Sequence, residues 1–195
     1  MILYLHGFNS TPASRKAQEL KRFLAARGLG GDFACPQLPH RPEEATAVAE
    51  REIQAARGDP VTLVGSSLGG YYATWLAERH DLNAVLINPA CFPHRDLQQL
   101  LGPQQNLYSG EKYVLTQGHL DAWAALFVPA PTPSRYLLIV ETGDELLDYR
   151  EAVERYRGAL QIVIEGGNHL LASFPEHLPL ILEFAGRRPS LGGPV

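Results

Sequence analysis

Ser67, Asp144 and His169 are the side chains in this sequence whose types and settings could carry out covalent chemistry together. A serine hydroxyl is a poor nucleophile at neutral pH. It needs an imidazole to take its proton and a carboxylate to hold that imidazole in the right tautomer. Ser67 lies in Gly65-Ser66-Ser67-Leu68-Gly69, a G-x-S-x-G frame of the kind that makes a strained strand-to-helix turn and lifts a hydroxyl above a sheet edge. Gly65 and Gly69 keep such a turn free of colliding side chains. A helix starting directly after Ser67 aims its N-terminal N–H groups at charge developing there. Ser66 falls outside the frame and reads as packing within the turn. The plain alternative is a glycine loop that starts a helix and cradles phosphate, but the stretch lacks the G-K-[ST] ending of a P-loop and the G-x-G-x-x-G of a dinucleotide fold.

The elements that must position these side chains alternate along the chain. Met1 to Leu5 is an apolar run suited to a strand buried on both faces, followed by helical spacing of Ala13, Ala17, Leu20 and Leu24 up to Gly28. Phe33-Ala34-Cys35 forms a minimal strand, and Pro42 with Glu43 and Glu44 opens a second helix. Val61 to Val64 leads into the Ser67 turn and a central helix over about Leu68 to Arg79, and Ala84 to Ile87 is the next strand. From Ala90 to Pro133 the rhythm breaks, with turns expected at Gly102-Pro103 and Ser109-Gly110 and amphipathic pieces at Leu97 to Leu101 and Leu120 to Phe127. That stretch, 90–133, reads as a small cap insertion over the site, with Trp123 and Phe127 as candidate apolar lining. Regular order resumes with the strand Tyr136 to Val140, a helix from Tyr149 that Asp148 and Glu151 would start as a capping box, the strand Leu160 to Ile164, and a last helix opened by Ser173, Pro175 and Glu176. The alternation predicts an α/β chain with a mainly parallel sheet and helices on both faces. The whole chain, 1–195, reads as one domain with a flexible tail at 187–195.

In such sheets chemistry gathers at the carboxyl ends of the strands, and Ser67, Asp144 and His169 each stand just past the end of a different expected strand. Their chain order, Ser then Asp then His, is that of the α/β-hydrolases and differs from the chymotrypsin and subtilisin orders. The remaining component is an oxyanion hole from the backbone N–H groups of Leu68 and Phe8, with His6 and Gly7 supporting the early loop. Duller roles stand beside these. Asp144 could be a turn residue after Gly143, and His169 a satisfied loop histidine. Asp148 is better explained as an N-cap and Glu145 as a solvated side chain. His6 reads as structural, and His40, His80, His94, His119 and His177 as surface or packing residues.

Composition narrows the partners. The net charge is -4, with 45% hydrophobic and 19% charged residues and no Lys/Arg run longer than two, so nothing resembles a basic footprint for nucleic acid or an anionic membrane. Cys35 and Cys91 make no disulfide framework and read as buried small hydrophobes. No ligand spacing for zinc is visible, and no metal or other cofactor is expected. No apolar run approaches the length of a bilayer span, and the start has no basic leader, so the expected location is cytoplasmic. The expected partner is a small-molecule acyl ester or thioester.

Five segments carry a family resemblance: Tyr4-Leu5-His6-Gly7-Phe8-Asn9-Ser10, Gly65 to Ala73, Asn88-Pro89-Ala90, Thr142-Gly143-Asp144-Glu145 and Gly166-Gly167-Asn168-His169. Through them the chain resembles the α/β-hydrolase superfamily and, within it, the small bacterial YqiA/YcfP-type esterases. The resemblance implies a reduced α/β-hydrolase fold without leading antiparallel strands, Ser67, Asp144 and His169 as nucleophile, acid and base, and hydrolysis of carboxylic esters or acyl thioesters. Two other readings use the same residues: an acyltransferase with the same triad, and a non-catalytic ligand-binding protein of hydrolase fold.

Overall fold

In the structure, a computed structural model that describes residues 1–186, apolar runs and helices alternate largely as the sequence predicts. The expected tail at 187–195 lies outside the described residues. The chain runs through β1 (Ile2–Leu5), α1 (Arg15–Ala25), β2 (Phe33–Ala34), α2 (Pro42–Ala55), β3 (Thr62–Ser66), α3 (Leu68–His80) and β4 (Asn83–Ile87). It continues through α4 (Pro93–Asp96), β5 (Gly102–Gln105), β6 (Lys112–Leu115), α5 (Gln117–Ala125), β7 (Tyr136–Glu141), α6 (Tyr149–Arg155), β8 (Leu160–Ile164) and α7 (Phe174–Phe184). Six of the strands pair in the order β2-β1-β3-β4-β7-β8, every pair parallel. Among the described residues no helix is long and apolar enough to cross a membrane.

Strand side chains alternate between two apolar layers because successive residues point to opposite faces. Leu3, Leu5, Leu63, Leu86 and Leu138 pack with Ala45 and Ala49 of α2, Leu76 of α3 and Ala152 of α6. Ile2, Tyr4, Val64, Val85, Ile87, Leu137 and Ile139 pack with Leu20 and Leu24 of α1 and Phe174 and Ile181 of α7. Burying each large aliphatic side chain is worth about 1.5–3 kcal/mol, which commits both faces of the sheet to being covered. Cys91 is buried as expected, whereas Cys35, at the end of the short edge strand β2, is only half-buried.

The excursion between β4 and β7 differs from expectation in two ways. Where a turn was expected at Gly102-Pro103, these residues open β5, which pairs antiparallel with β6 from Gly102↔Leu115 to Gln105↔Lys112. A proline fits there because a two-stranded ribbon leaves one side of each strand unpaired. The turn at Ser109-Gly110 does form, and the buried Asn106 secures it. The Asn106 side chain accepts from the N–H groups of Tyr108 and Ser109 and donates to the Ser10 carbonyl. The second difference is Trp123, which is 0% exposed and part of the core. Its indole N–H donates to the Tyr72 hydroxyl at 2.8 Å, and the Tyr71 hydroxyl donates to the Trp123 carbonyl at 2.6 Å. His119 docks the same helix, facing His40 with ring nitrogens 2.9 Å apart. Phe127 stacks on Phe92 under the Arg155 guanidinium.

Asp148 caps α6, accepting from the Arg150 N–H at 3.0 Å. The expected capping box does not close, because the Glu151 carboxylate turns away to Arg95 at 2.7 Å. The box occurs instead on α5, between Thr116 and His119.

Candidate functional site

Ser67 joins β3 to α3 with φ 55° and ψ -123°, a conformation costly for any residue with a side chain. Its backbone is held from three sides. The N–H donates to the Ile87 carbonyl at 3.0 Å, and the carbonyl accepts from Gly70 at 2.9 Å and Ala90 at 3.0 Å. The glycines of the frame are required by contact: a Cβ at Gly65 would lie 2.4 Å from the Gly69 carbonyl oxygen, and one at Gly69 only 1.9 Å from that of Leu5. The elbow is therefore pressed against the end of β1. Ser66 is buried, within the turn as expected.

The loops after β7 and β8 bring the other two residues together. His169 Nδ1 lies 2.8 Å from Asp144 Oδ2. A carboxylate only accepts, so Nδ1 bears the proton and donates. Asp144 Oδ1 accepts from the N–H groups of Leu146 and Leu147, both at 2.9 Å. The aspartate is therefore a turn residue and the partner of the histidine at once, one oxygen for each task. Its side chain is 2% exposed and that of His169 13%. Burial pushes the Asp144 carboxyl up, but the bond and charge of His169 and the two backbone N–H groups outweigh it and hold the group below the usual carboxylate range. Gly143 lets the two loops touch, since a Cβ there would be 2.5 Å from the Gly167 carbonyl oxygen. Glu145 is not merely solvated as expected: its Oε2 accepts from the His169 N–H at 2.9 Å.

Two buried residues to which the sequence assigns no role hold the His169 loop, Asn88 of the Asn88-Pro89-Ala90 segment and Glu141. The Asn88 amide donates to the carbonyls of Asn168 and His169, both at 3.1 Å, while its oxygen accepts from the Glu141 N–H. Glu141, 1% exposed, accepts from Asn168 N–H at 2.7 Å, from Ala172 and Ser173 N–H, and from the Ser173 hydroxyl at 2.6 Å. Burial opposes its charge, yet these donors, Ser173 first, keep its carboxyl below the usual range. The only sequence cue was a glutamate ending an otherwise apolar strand. His6 has the structural role expected of it: buried, it accepts the Leu38 N–H at Nε2, so Nδ1 carries the proton toward the Gly7 carbonyl. Burial lowers its pKa and favours this neutral form.

Ser67 and His169 line one cavity of about 410 Å³, together with Gly7, Phe8 and Leu68. A Cβ on Gly7 would sit 3.1 Å from Ser67 Cβ, so the early loop touches the elbow. The N–H groups of Phe8 and Leu68 have no protein acceptor among the described residues, and His169 Nε2, the accepting nitrogen of this tautomer, has no protein donor among them. Trp123 and Phe127 are absent from the lining. Pro93, Leu97, Leu100, Tyr108, Leu146 and Leu147 supply its apolar part. Among the described residues no three His, Cys, Asp or Glu side chains gather as a metal-ligand set.

Comparison with known proteins bears on the family and the fold. The chain is 24% identical over 187 residues to the UPF0227 protein YcfP of Salmonella arizonae, covering 94% of this chain and 98% of that one. Its fold superposes on ferulic-acid-bound Est1E from Butyrivibrio proteoclasticus with a TM-score of 0.70 at 16% identity, covering 94% of this chain and 85% of that one. The esterase domain of a Rhodothermus marinus protein matches with a TM-score of 0.68 at 18% identity and the same coverages, 94% and 85%. At such identities the structural likeness speaks for the fold, which is that of the α/β-hydrolases. With residues 1–186 matching the uncharacterised protein family UPF0227 as a whole, the chain belongs to that family, as a YcfP-type member of α/β-hydrolase fold.

Proposed function

We propose that this chain is a serine hydrolase acting on carboxylic esters or acyl thioesters through an acyl-enzyme intermediate. In this reading Ser67 Oγ attacks the acyl carbon and passes its proton to His169 Nε2. The imidazolium then protonates the departing alcohol or thiol as the C–O or C–S bond breaks. Water attacks the acyl carbon and gives its proton to Nε2, and the imidazolium returns that proton to Ser67 Oγ as the acyl C–O bond breaks and the acid leaves. Asp144 fixes the Nδ1–H tautomer and stabilises the imidazolium. The unpaired N–H groups of Phe8 and Leu68 receive the oxyanion, and losing such a donor typically costs about 100- to 1,000-fold in rate. The segment 90–133 acts as a cap that sets substrate choice, since Pro93, Leu97, Leu100 and Tyr108 line the cavity.

The observation that carries the reading is the Ser67 elbow, opening at positive φ onto the same cavity as an imidazole tied at 2.8 Å to a buried carboxylate. A glycine loop that only bound phosphate would not need that carboxylate-imidazole pair. The test is labelling with a fluorophosphonate beside turnover of 4-nitrophenyl butyrate. One adduct at Ser67 and turnover lost in Ser67→Ala are expected. Labelling elsewhere, or undiminished turnover in the variant, would overturn the mechanism.

A further inference from the structure

The lining of the cavity is of two kinds. Much of it is aliphatic, through Leu97, Leu100, Leu146 and Leu147, but the start of α1 contributes Ser14, Arg15 and Lys16. Lys16 is only 9% exposed. Its ammonium donates to the Leu170 carbonyl at 3.0 Å and forms no salt bridge among the described residues. An ammonium has three N–H donors, so two remain. Arg15 is already engaged, by Glu19 and by the carbonyls of Leu170 and Leu171. The Ser14 hydroxyl, at the N-cap position of α1, does not cap the helix, and its oxygen is buried without a hydrogen-bond partner. The first turn of α1 has no acid, although a helix start favours negative charge and leaves its first N–H groups without intrahelical partners. Among the described residues Asp96 is the sole acid of the lining; Arg95 holds its Oδ1 at 2.7 Å, and its Oδ2 is buried without a partner.

A buried cation without a counter-charge is costly. Accordingly the Lys16 ammonium is pushed down to about 8, first by burial and then by Arg15, and the charges of Asp144, Glu141 and Glu19 offset this only in part. We propose that Lys16, with the Ser14 hydroxyl and the first N–H groups of α1, forms a subsite for an anionic group, a carboxylate or phosphate, carried by the substrate. The subsite rests on the hydrolase reading of Ser67 for its place in a reaction, and it narrows the substrate class from any ester to one with a negative charge within reach of Lys16. The competing role for Lys16 is to brace the Leu170 carbonyl next to His169. A brace would matter equally for charged and neutral substrates.

The experiment compares kcat/KM of wild type, Lys16→Met and Lys16→Arg on three esters. These are 4-nitrophenyl butyrate, the mono-4-nitrophenyl ester of glutaric acid, and 3-carboxy-4-nitrophenyl butyrate, which place no charge, a charge on the acyl side and a charge on the leaving group. Lys16→Met should lower the rate on one of the anionic esters about 10- to 100-fold more than on the neutral one, the usual worth of a hydrogen bond to a charged group, and Lys16→Arg should restore much of it. Which ester suffers shows which side of the scissile bond carries the charge. Equal losses on all three would make Lys16 a brace and overturn the subsite. Binding is measured separately, so that the two readings fail apart: monomethyl glutarate and neutral dimethyl glutarate are titrated calorimetrically into Ser67→Ala protein. Tighter binding of the monoanion, displaced by inorganic phosphate if the site accepts either anion, supports the subsite even where no ester turns over. Equal binding of the two overturns it, and this comparison decides if Lys16→Met fails to fold.

Discussion

The carboxyl ends of the sheet strands and the excursion between β4 and β7 face the same cavity, yet they are built from opposite materials. At the strand ends buried polar atoms have fixed partners: Asn88 bonds on both sides of its amide, Glu141 accepts from four donors, and Asp144 divides its two oxygens between a turn and His169. The excursion instead meets the cavity with leucines and a tyrosine, and Leu100 and Tyr108 remain 39% and 67% exposed. Hydrogen bonds are directional and hold reacting atoms in place, whereas apolar contact scales with area and tolerates varied shapes. A site divided this way can keep its chemistry constant while the apolar part changes what fits.

If the division is real, variants at the strand ends should change rate and those in the excursion should change preference. The largest effect is expected for Ser67→Ala, a loss approaching a millionfold in kcat with the fold intact. Asp144→Asn follows at about ten-thousandfold, because the amide favours the wrong imidazole tautomer. Steady-state kinetics with thermal midpoints checks both, and a stable Asp144→Asn protein with near-normal kcat would remove the aspartate from the mechanism.

Glu141→Gln is next, because it tests the support rather than the chemistry. An amide nitrogen would face N–H donors that now meet carboxylate oxygen, at a cost of about 1–3 kcal/mol. The pH dependence gives a second readout. Glu141 and Asp144 both have folded-state pKa values below those of the unfolded chain. Between the two values the unfolded state binds more protons, so the stability they contribute is present above the unfolded value and is lost as pH falls through the folded one. Denaturant unfolding at pH 7 and near pH 4 should show a smaller acid loss in Glu141→Gln than in wild type. An equal loss would mean that Glu141 is not the group being protonated.

The excursion gives the smaller catalytic effects. Leu97→Ala or Leu100→Ala should shift the preference between short and long acyl chains by roughly tenfold, the worth of one or two methylenes in an apolar pocket, with much less change on a small ester. Trp123→Ala should act on stability instead, costing about 3–5 kcal/mol as a core truncation, and a pure change of chain-length preference would return Trp123 to the cavity wall. The least effect is expected for Asp148→Ala, whose exposed cap should lower the thermal midpoint slightly and leave the rate alone. A collapse of activity there, with a mild effect in Asp144→Asn, would exchange the two aspartates.

Most strands and helices, and the clustering of Ser67, Asp144 and His169, were legible in the sequence because their signals are local. An apolar run buried on both faces, a G-x-S-x-G frame between strand and helix, and a polar residue after a strand all speak within a few positions. The excursion is less legible. Gly102-Pro103 is a turn signal in isolation and becomes strand only because β6 lies opposite. Trp123 belongs to the core because Tyr71 and Tyr72 of α3 meet it, and no periodicity over α5 reveals that.

By itself the sequence determined that six strands would alternate with helices, the first of them buried on both faces, and that Ser67 would stand on a strained turn, since burial and glycine sterics act on neighbouring residues. The tertiary structure alone decided which polar atoms meet. Asp144 is joined to His169, Glu145 and Glu141 to the backbone of the histidine loop, and Lys16 lies against that loop with no carboxylate partner among the described residues. Those pairings join residues far apart in the chain, and hydrogen-bond partners are chosen by distance and angle in space, which the spacing of residue types does not encode.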